Sequence, residues 1–278
     1  MNHNKTENLS IGVALGGGMA LGFAHIGVLK ALEDNDINVS YISGVSVGAI
    51  IASLYALGIS FMDIEQESER LNWLNVSSIR PSKMGFTSNL AIRKVLESYI
   101  GKANIEDANI PLAIVATDIA SSEKVVLKSG SIVSAVLASS CLPGLFSPIE
   151  MNGYVLVDGG ICENVPVSPL KDFGADIKIG VNLLRYRKYK KPKNVVEVLA
   201  NSFDIINHRI TSRPKASEVD FLIEPDLGDF YMSDFKKWKE ISDCGYKETL
   251  KYIKSIKEMQ KAPPKETFWG NVKNLFNK

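Results

Sequence analysis

The sequence contains little cysteine and little histidine, with three of each among its 278 residues. An odd number of cysteines cannot pair completely, and Cys141, Cys162 and Cys244 do not have the spacing of a metal site. These facts exclude a disulfide-stabilised secreted scaffold and predict no metal centre. We therefore expect the protein in a reducing compartment, the cytoplasm.

The sequence also lacks an excess of either charge sign. It has 32 Lys+Arg against 31 Asp+Glu, a net charge of +1, which does not favour nucleic acid as a partner. An apolar fraction of 45% excludes a disordered chain. The charge is unevenly spread, because residues 231–278 contain 11 Lys and 6 acidic residues. This segment carries +5, and the preceding residues carry −4.

No segment combines the length and the composition of a membrane span. Residues 37–62 have no charged side chain, but Ser and Gly interrupt their centre, which indicates a strand, a turn and a buried helix. Pro143 and Pro148 break the second uncharged stretch, residues 130–149. Residues 1–10 are polar and lack the apolar core of a signal peptide, so we expect none.

Strand and helix patterns alternate along the chain. The apolar strand 11–15 precedes a helix at 20–34, and strand 39–43 precedes a helix at 47–57. This order predicts an α/β protein with a parallel sheet covered by helices. Further strands are predicted at 112–118, 124–128, 149–151, 154–157, 176–181 and 219–223, and further helices at 63–71, 89–100, 132–139, 195–210 and 246–260, with a loop or cap at 72–88.

A serine lies between two glycines in Gly44-Val-Ser46-Val-Gly48, at the predicted junction of a strand and a helix. The glycines permit a tight turn that exposes the serine oxygen at a helix N-terminus, which is the geometry of a nucleophile. G-x-S-x-G also arises by chance in roughly one chain of this length in ten. The strand before the motif and the helix after it favour the nucleophile interpretation of Ser46.

A second glycine cluster, Gly16-Gly17-Gly18 with Gly22, follows the first predicted strand. Glycines at a strand-to-helix turn let backbone N–H groups approach a developing negative charge. A dinucleotide-binding turn would require an acidic residue at the end of the second strand, but that strand ends at Ser43-Gly44. A simple tight turn stays an alternative for these glycines.

A carboxylate follows a later strand, in Asp158-Gly159-Gly160, on an open turn beside apolar residues that would raise its pKa toward that of a general base. A Ser–His–Asp triad would need a histidine. His3 lies in the polar leader and His25 on the helix after the glycine cluster, so His208 is the candidate for that role. The predicted position of His208 in mid-helix indicates a surface residue. A Ser–Asp pair is therefore the simpler hypothesis.

Several blocks in order together resemble the bacterial patatin-like phospholipase family over residues 11–184. They are the glycine-rich loop with Gly22-Phe-Ala-His25-Ile-Gly-Val-Leu29, then Gly44–Gly48, Ala116-Thr-Asp118, Leu142-Pro-Gly144 with Pro148, and Asp158–Gly160 followed by Asn164-Val-Pro166. Each block alone is weak, whereas their joint occurrence in order is specific. The resemblance implies a three-layer α/β/α fold with a mostly parallel central sheet.

The resemblance also implies an activity and a site. It implies a serine acyl hydrolase that cleaves fatty-acyl esters of lipids and phospholipids through an acyl-serine intermediate, without a cofactor. Ser46 would be the nucleophile and Asp158 its general base. The backbone amides of Gly17, Gly18 and Met19 would form the oxyanion hole. A non-catalytic lipid-binding or regulatory protein is the alternative from another functional class.

One position departs from the family pattern. Leu21 stands where the family has Arg or Lys before the final glycine of the loop, and Met19 replaces a small residue. An oxyanion hole uses backbone groups, so we expect the ester chemistry to survive both changes. We expect the missing cation to affect instead the preference for substrates that carry a phosphate group.

We divide the chain into a catalytic core at 9–184, a remainder of the α/β domain at 185–230 and a basic helical extension at 231–278.

Two segments are candidates for contact with a membrane. Arg185–Lys193 has six cations in nine residues, which suits anionic lipid headgroups or a solvated loop. Lys265–Lys278 has one apolar helical face, which suits an interfacial anchor or a helix docked on the domain. We expect peripheral contact with the inner face of the membrane.

Overall fold

A mixed β-sheet forms the centre of the fold. The computed structural model describes residues 8–64, 90–185, 189, 191–193, 195–211, 214–215 and 217–261. Most of the predicted helix 63–71, the predicted loop 72–88, residues 186–188 and 190 of the basic segment 185–193, and the tail Lys265–Lys278 lie outside the described residues.

Strands and helices alternate through the described residues. The strands are β1 (Ile11–Leu15), β2 (Tyr41–Gly44), β3 (Leu112–Asp118), β4 (Glu123–Leu127), β5 (Ile149–Met151), β6 (Tyr154–Asp158), β7 (Ile177–Val181) and β8 (Phe221–Ile223). The helices are α1 (Phe23–Glu33), α2 (Val47–Ala56), α3 (Leu90–Ile100), α4 (Ile132–Ser139), α5 (Gly160–Glu163), α6 (Ser168–Asp172), α7 (Val195–Ile206), α8 (Trp238–Leu250) and α9 (Ile253–Gln260).

The sheet runs in the order β5-β6-β3-β2-β1-β7-β8, and β4 pairs with β3 outside this path. The pairs from β3 through β2, β1 and β7 to β8 are parallel. The pairs of β3 with β4 and β6, and of β5 with β6, are antiparallel. The mostly parallel α/β architecture is thus confirmed. The predicted strands 149–151 and 154–157 form a hairpin, β5–β6, with φ of 54° at Asn152 and 83° at Gly153, as an Asn-Gly type I′ turn requires.

The side chains of β1 show how the sheet separates two apolar layers. Ile11, Val13 and Leu15 lie in the main core, to which α1, α2 and α4 also contribute. Ala14 points the other way, because successive side chains of a strand alternate between faces, and it lies in a smaller cluster with Leu170 of α6. Both faces of the sheet are therefore covered.

The pairing of β3 determines where β2 and β6 end. Residues 114–118 of β3 pair with β4 along one edge, so β2 and β6 must share the opposite edge. On that edge Gly44 of β2 pairs with Ile114, and Asp158 of β6 pairs with Ala116. Because β2 runs parallel to β3 and β6 runs antiparallel to it, the two strands approach each other with their carboxyl ends. Their last residues pair with positions of β3 that are only two residues apart. This arrangement brings the turn after β2 next to the turn after β6.

The C-terminal helices differ from the sequence prediction. Helix is predicted from residue 246 to 260, but α8 already begins at Trp238, and α9 follows after a break at 251–252. The helix α8 packs on α1 at a very close crossing: a Cβ on Gly27 would lie 1.9 Å from the Ser242 carbonyl oxygen, and one on Gly245 would lie 2.0 Å from that of Ala24. Glycines on both helices permit this contact, and the pattern of either helix alone does not reveal it.

The two uncharged stretches are regular structure of the domain. Residues 37–62 contain β2 and α2, as predicted, and residues 130–149 contain α4. Among the described residues, no helix combines the length and the apolar composition needed to cross a bilayer.

Candidate active site

Ser46 occupies a strained turn between β2 and α2. Its φ of 53° and ψ of −125° form a backbone conformation that residues other than glycine rarely adopt. Two glycines permit the turn: a Cβ on Gly48 would lie 2.1 Å from the Leu15 carbonyl oxygen, and one on Gly44 would lie 2.4 Å from the Gly48 carbonyl oxygen. A serine held in this way at a helix N-terminus is typical of a nucleophile.

A buried serine ties this turn to the sheet. The Ser46 N–H donates to Ser139 Oγ at 2.9 Å, and Ser139 Oγ donates to the Val115 carbonyl oxygen at 2.6 Å. Ser139 is fully buried at the end of α4, so these two bonds fix the backbone of the turn against β3. Sequence reasoning missed Ser139, and its one cue is its place just before the Leu142-Pro-Gly144 block.

Asp158 ends β6 in the interior, with 2% of the residue exposed. Burial raises the pKa of Asp158 to about 7, while hydrogen bonds from the Gly160 N–H and the Ser46 side chain oppose the rise. The Gly160 N–H donates to Asp158 Oδ1 at 2.8 Å. Gly159 lies tightly against β3, since a Cβ there would be 2.2 Å from the Val115 carbonyl oxygen. A carboxyl group with a pKa near neutrality beside a serine is suited to accept its proton.

The glycine-rich loop packs directly against the Ser46 turn, because a Cβ on Gly22 would lie 2.2 Å from Val47 Cγ2. The Gly16 carbonyl oxygen accepts a hydrogen bond from His25 Nε2 at 2.7 Å. Burial lowers the pKa of His25 to about 4, with the Gly16 bond opposing, so the ring is neutral and its proton lies on Nε2. His25 therefore holds the loop rather than a substrate.

The three loop amides differ in their hydrogen bonds. The Gly17 N–H donates to the Asn164 carbonyl oxygen at 3.2 Å. In the described part of the chain, the N–H groups of Gly18 and Met19 donate to no acceptor. Asn164 is buried, and its Nδ2 atom has no hydrogen-bond partner among the described residues. Two backbone donors are thus available beside Ser46.

These groups line one small cavity of about 30 Å³, roughly the volume of one water molecule. From the sequence motifs, the lining includes Gly17, Gly18, Met19, Ser46, Asp158 and Asn164. From elsewhere in the chain come Leu142, Leu184, Ala200, Phe203, Asp204, Asn207 and Met232. The structure therefore brings the serine, the carboxylate and the glycine loop together. His208 is not among the described residues that line this cavity.

Helix α7 and the π-helical turn after it, residues 207–211, supply part of this lining. The sequence predicts a single helix over 195–210, and His208 is the one residue of it considered there for the site. Asp204 and Asn207 are buried polar residues in that lining, beside the apolar Phe203. Their burial depends on the placement of the helix over the cavity, which its own sequence does not specify.

Comparison with known proteins gives consistent matches. A profile of the family described as patatin-like phospholipase matches residues 13–171. Lysophospholipase NTE1 of Yarrowia lipolytica is 26% identical over 285 residues, which cover 91% of this chain and 20% of that protein. An NTE family protein of Mycobacterium bovis is 31% identical over 176 residues, which cover 62% of this chain and 49% of that protein.

Solved structures give a match in fold. VipD from Legionella pneumophila is similar with a TM-score of 0.53 at 16% identity, over 89% of this chain and 67% of that chain. The chain spans between a fifth and a half of the length of the two relatives named above.

Proposed function

The chain belongs to the patatin-like phospholipase family, whose profile covers more than half of its residues, and from this premise we propose that it hydrolyses fatty-acyl esters of lipids. Ser46 is the proposed nucleophile, and Asp158 is the proposed general base. The observation that supports this assignment most strongly is the burial of Asp158, with a pKa near 7, beside the strained Ser46 turn in one cavity.

The proposed reaction has two halves. Asp158 takes the hydroxyl proton of Ser46 as the serine oxygen attacks the ester carbonyl carbon. The tetrahedral intermediate collapses, and the leaving alcohol takes the proton from Asp158. In the second half, Asp158 takes a proton from water as that water attacks the acyl-serine. The fatty acid leaves, and the proton returns to Ser46.

The oxyanion that forms in each half needs hydrogen-bond donors. The Gly18 and Met19 amides are the proposed donors, because no described residue accepts from them. The Gly17 amide, also expected at this site from sequence, would first have to leave the Asn164 carbonyl oxygen. One donor of this kind is typically worth about 3 kcal/mol of barrier, so two are sufficient for a large effect.

The substrate class follows from the relatives. One of them is named lysophospholipase, which makes a lysophospholipid the first substrate to test. Leu21 is fully buried in the main core, so the position where the family pattern has a cation places no side chain in the cavity lining. We therefore place the recognition of any phosphate group elsewhere than at residue 21.

The test is hydrolysis of a soluble p-nitrophenyl ester and of lysophosphatidylcholine by the wild type and by Ser46→Ala. We expect the variant to lose turnover of both and to keep its fold by circular dichroism. Asp158→Asn should lower turnover of the soluble ester about 100- to 10,000-fold, the range for a lost general base. Full activity in Ser46→Ala would refute the assignment.

Two alternatives are decided by further measurements. If His208 formed a triad, His208→Ala would lose most of its turnover, whereas the Ser–Asp proposal predicts a change of less than about twofold, since His208 does not line the cavity. If the chain were a non-catalytic lipid-binding protein, the wild type would bind lysolipid without releasing fatty acid.

A further inference from the structure

Helix α7 has an apolar face that is exposed to solvent. Val195, Val198, Ile205 and Ile206, which we call the outer stripe, are exposed by 58%, 46%, 45% and 50%. At 100° per residue these four positions fall within an arc of about 100°, and the residue between them on this arc is the uncharged Ser202. Exposed apolar side chains grouped on one face mark an interaction surface more strongly than scattered ones.

The opposite face of the same helix lines the candidate active site. Ala200, Phe203 and Asp204 border the cavity that contains Ser46 and Asp158. Their mean direction lies roughly 160° from that of the outer stripe. Helix α7 therefore borders the cavity with one face and exposes the outer stripe on the other.

The chain just before α7 is strongly basic. Arg185–Lys193 contains six cations, and the described residues Lys191 and Lys193 are exposed. Tyr189, in the same segment, is 39% exposed. Cations and an aromatic side chain next to an apolar stripe form the composition of a surface that binds anionic lipid headgroups and inserts apolar side chains below them.

We propose that the outer stripe of α7, together with Lys191 and Lys193, is the surface by which this protein binds an anionic lipid bilayer. This inference rests on the proposed function, because a lipid-ester hydrolase must take its substrate from such a surface. A second copy of the chain is the poorer occupant, since a symmetric contact through this face would bring two basic segments close together.

The experiment measures co-sedimentation with phosphatidylcholine vesicles, with and without phosphatidylserine. All proteins carry Ser46→Ala, so that hydrolysis cannot alter the vesicles. The stripe variant adds Val198→Gln and Ile205→Gln. A matched control adds Leu250→Gln and Met259→Gln, two exposed apolar residues on α8 and α9. A fourth protein adds Lys191→Gln and Lys193→Gln.

We expect the stripe variant to bind the anionic vesicles about tenfold or more weakly, since two apolar side chains no longer leave water. The control should bind as before, and the lysine variant should lose binding to anionic vesicles but not to neutral ones. Equal binding by the stripe variant and its control overturns the proposal. If the stripe substitutions convert a dimer to a monomer and leave vesicle binding unchanged, the proposal is overturned, and the outer stripe is an interface with a second copy of the chain.

The two proposals fail in different measurements. If the hydrolase assignment is wrong, the wild type releases no product from a soluble ester, in an assay without vesicles. If the surface assignment is wrong, that turnover persists, and the stripe variant co-sediments like its control.

Discussion

Replacing Asp158 with Asn should stabilise the fold while removing the proposed general base. Burial raises the pKa of this carboxyl group from 3.8 to about 7. Between these two values the folded protein holds a proton at Asp158 that the unfolded chain has released. The wild type therefore loses stability as pH rises from about 4 to about 7, and an uncharged Asn at this position does not.

The magnitude follows from the pKa values. Each pKa unit corresponds to about 1.4 kcal/mol, so the cost of the ionised buried carboxylate reaches roughly 4 kcal/mol above pH 7. Part of this cost already applies at pH 5, because the Asp158 carboxyl group is then ionised in the unfolded chain but protonated in the folded protein. The advantage of Asp158→Asn over the wild type should thus grow by roughly 2 to 3 kcal/mol between pH 5 and pH 8.

The assay is urea unfolding of both proteins at pH 5, 6, 7 and 8. Asp118 provides a matched control, because it is also buried and also ends a strand of the sheet. Hydrogen bonds, first from the Ser121 side chain and then from the Val155 N–H, lower the pKa of Asp118. Its carboxylate therefore stabilises the fold above its ordinary pKa, and Asp118→Asn should destabilise at all four pH values. A free-energy difference for Asp158→Asn that does not change with pH would refute the reasoning.

Three more predictions concern the same framework. The kcat/KM of the wild type for a soluble ester should rise with pH through a midpoint near 7, because Asp158 must be ionised to accept a proton, and a rate that is flat from pH 5 to 9 would count against this role. Ser139→Ala should cost about 1 to 3 kcal/mol in chemical unfolding, because the Ser46 N–H and the Val115 carbonyl oxygen both lose their partner. Gly245→Ala should reduce the free energy of unfolding by about 1 to 3 kcal/mol and so lower the thermal midpoint, because the new methyl group would lie 2.0 Å from the Ala24 carbonyl oxygen. An unchanged midpoint would contradict the close crossing of α1 and α8.

Local chemistry made much of the fold predictable from sequence. The strand at 112–118 and the helix at 132–139 have the predicted bounds. An apolar run specifies the strand, and Ser131 caps the helix, because its side chain accepts a hydrogen bond from the Ser134 N–H. The β5–β6 hairpin follows from Asn152-Gly153, since both residues must adopt positive φ. The Ser46 turn follows likewise from the glycines around it.

The proximity of Ser46 and Asp158 has a different origin. More than a hundred residues separate them, and they meet because β2 and β6 share one edge of β3. No spacing in the sequence specifies that shared edge, so the resemblance to a family carried this part of the prediction. The early start of α8 was missed for a related reason, because its polar sequence is held in place by the glycine crossing with α1.

Labelling with a fluorophosphonate probe, followed by intact-mass measurement and peptide mapping, tests directly whether Ser46 is an activated nucleophile. An activated serine reacts readily with this probe, whereas an ordinary surface hydroxyl does not. We expect one adduct, on Ser46, in the wild type and in His208→Ala. We expect none in Ser46→Ala and much slower labelling in Asp158→Asn. An adduct on another serine, or equal labelling of the wild type and Ser46→Ala, would show that Ser46 is not the nucleophile.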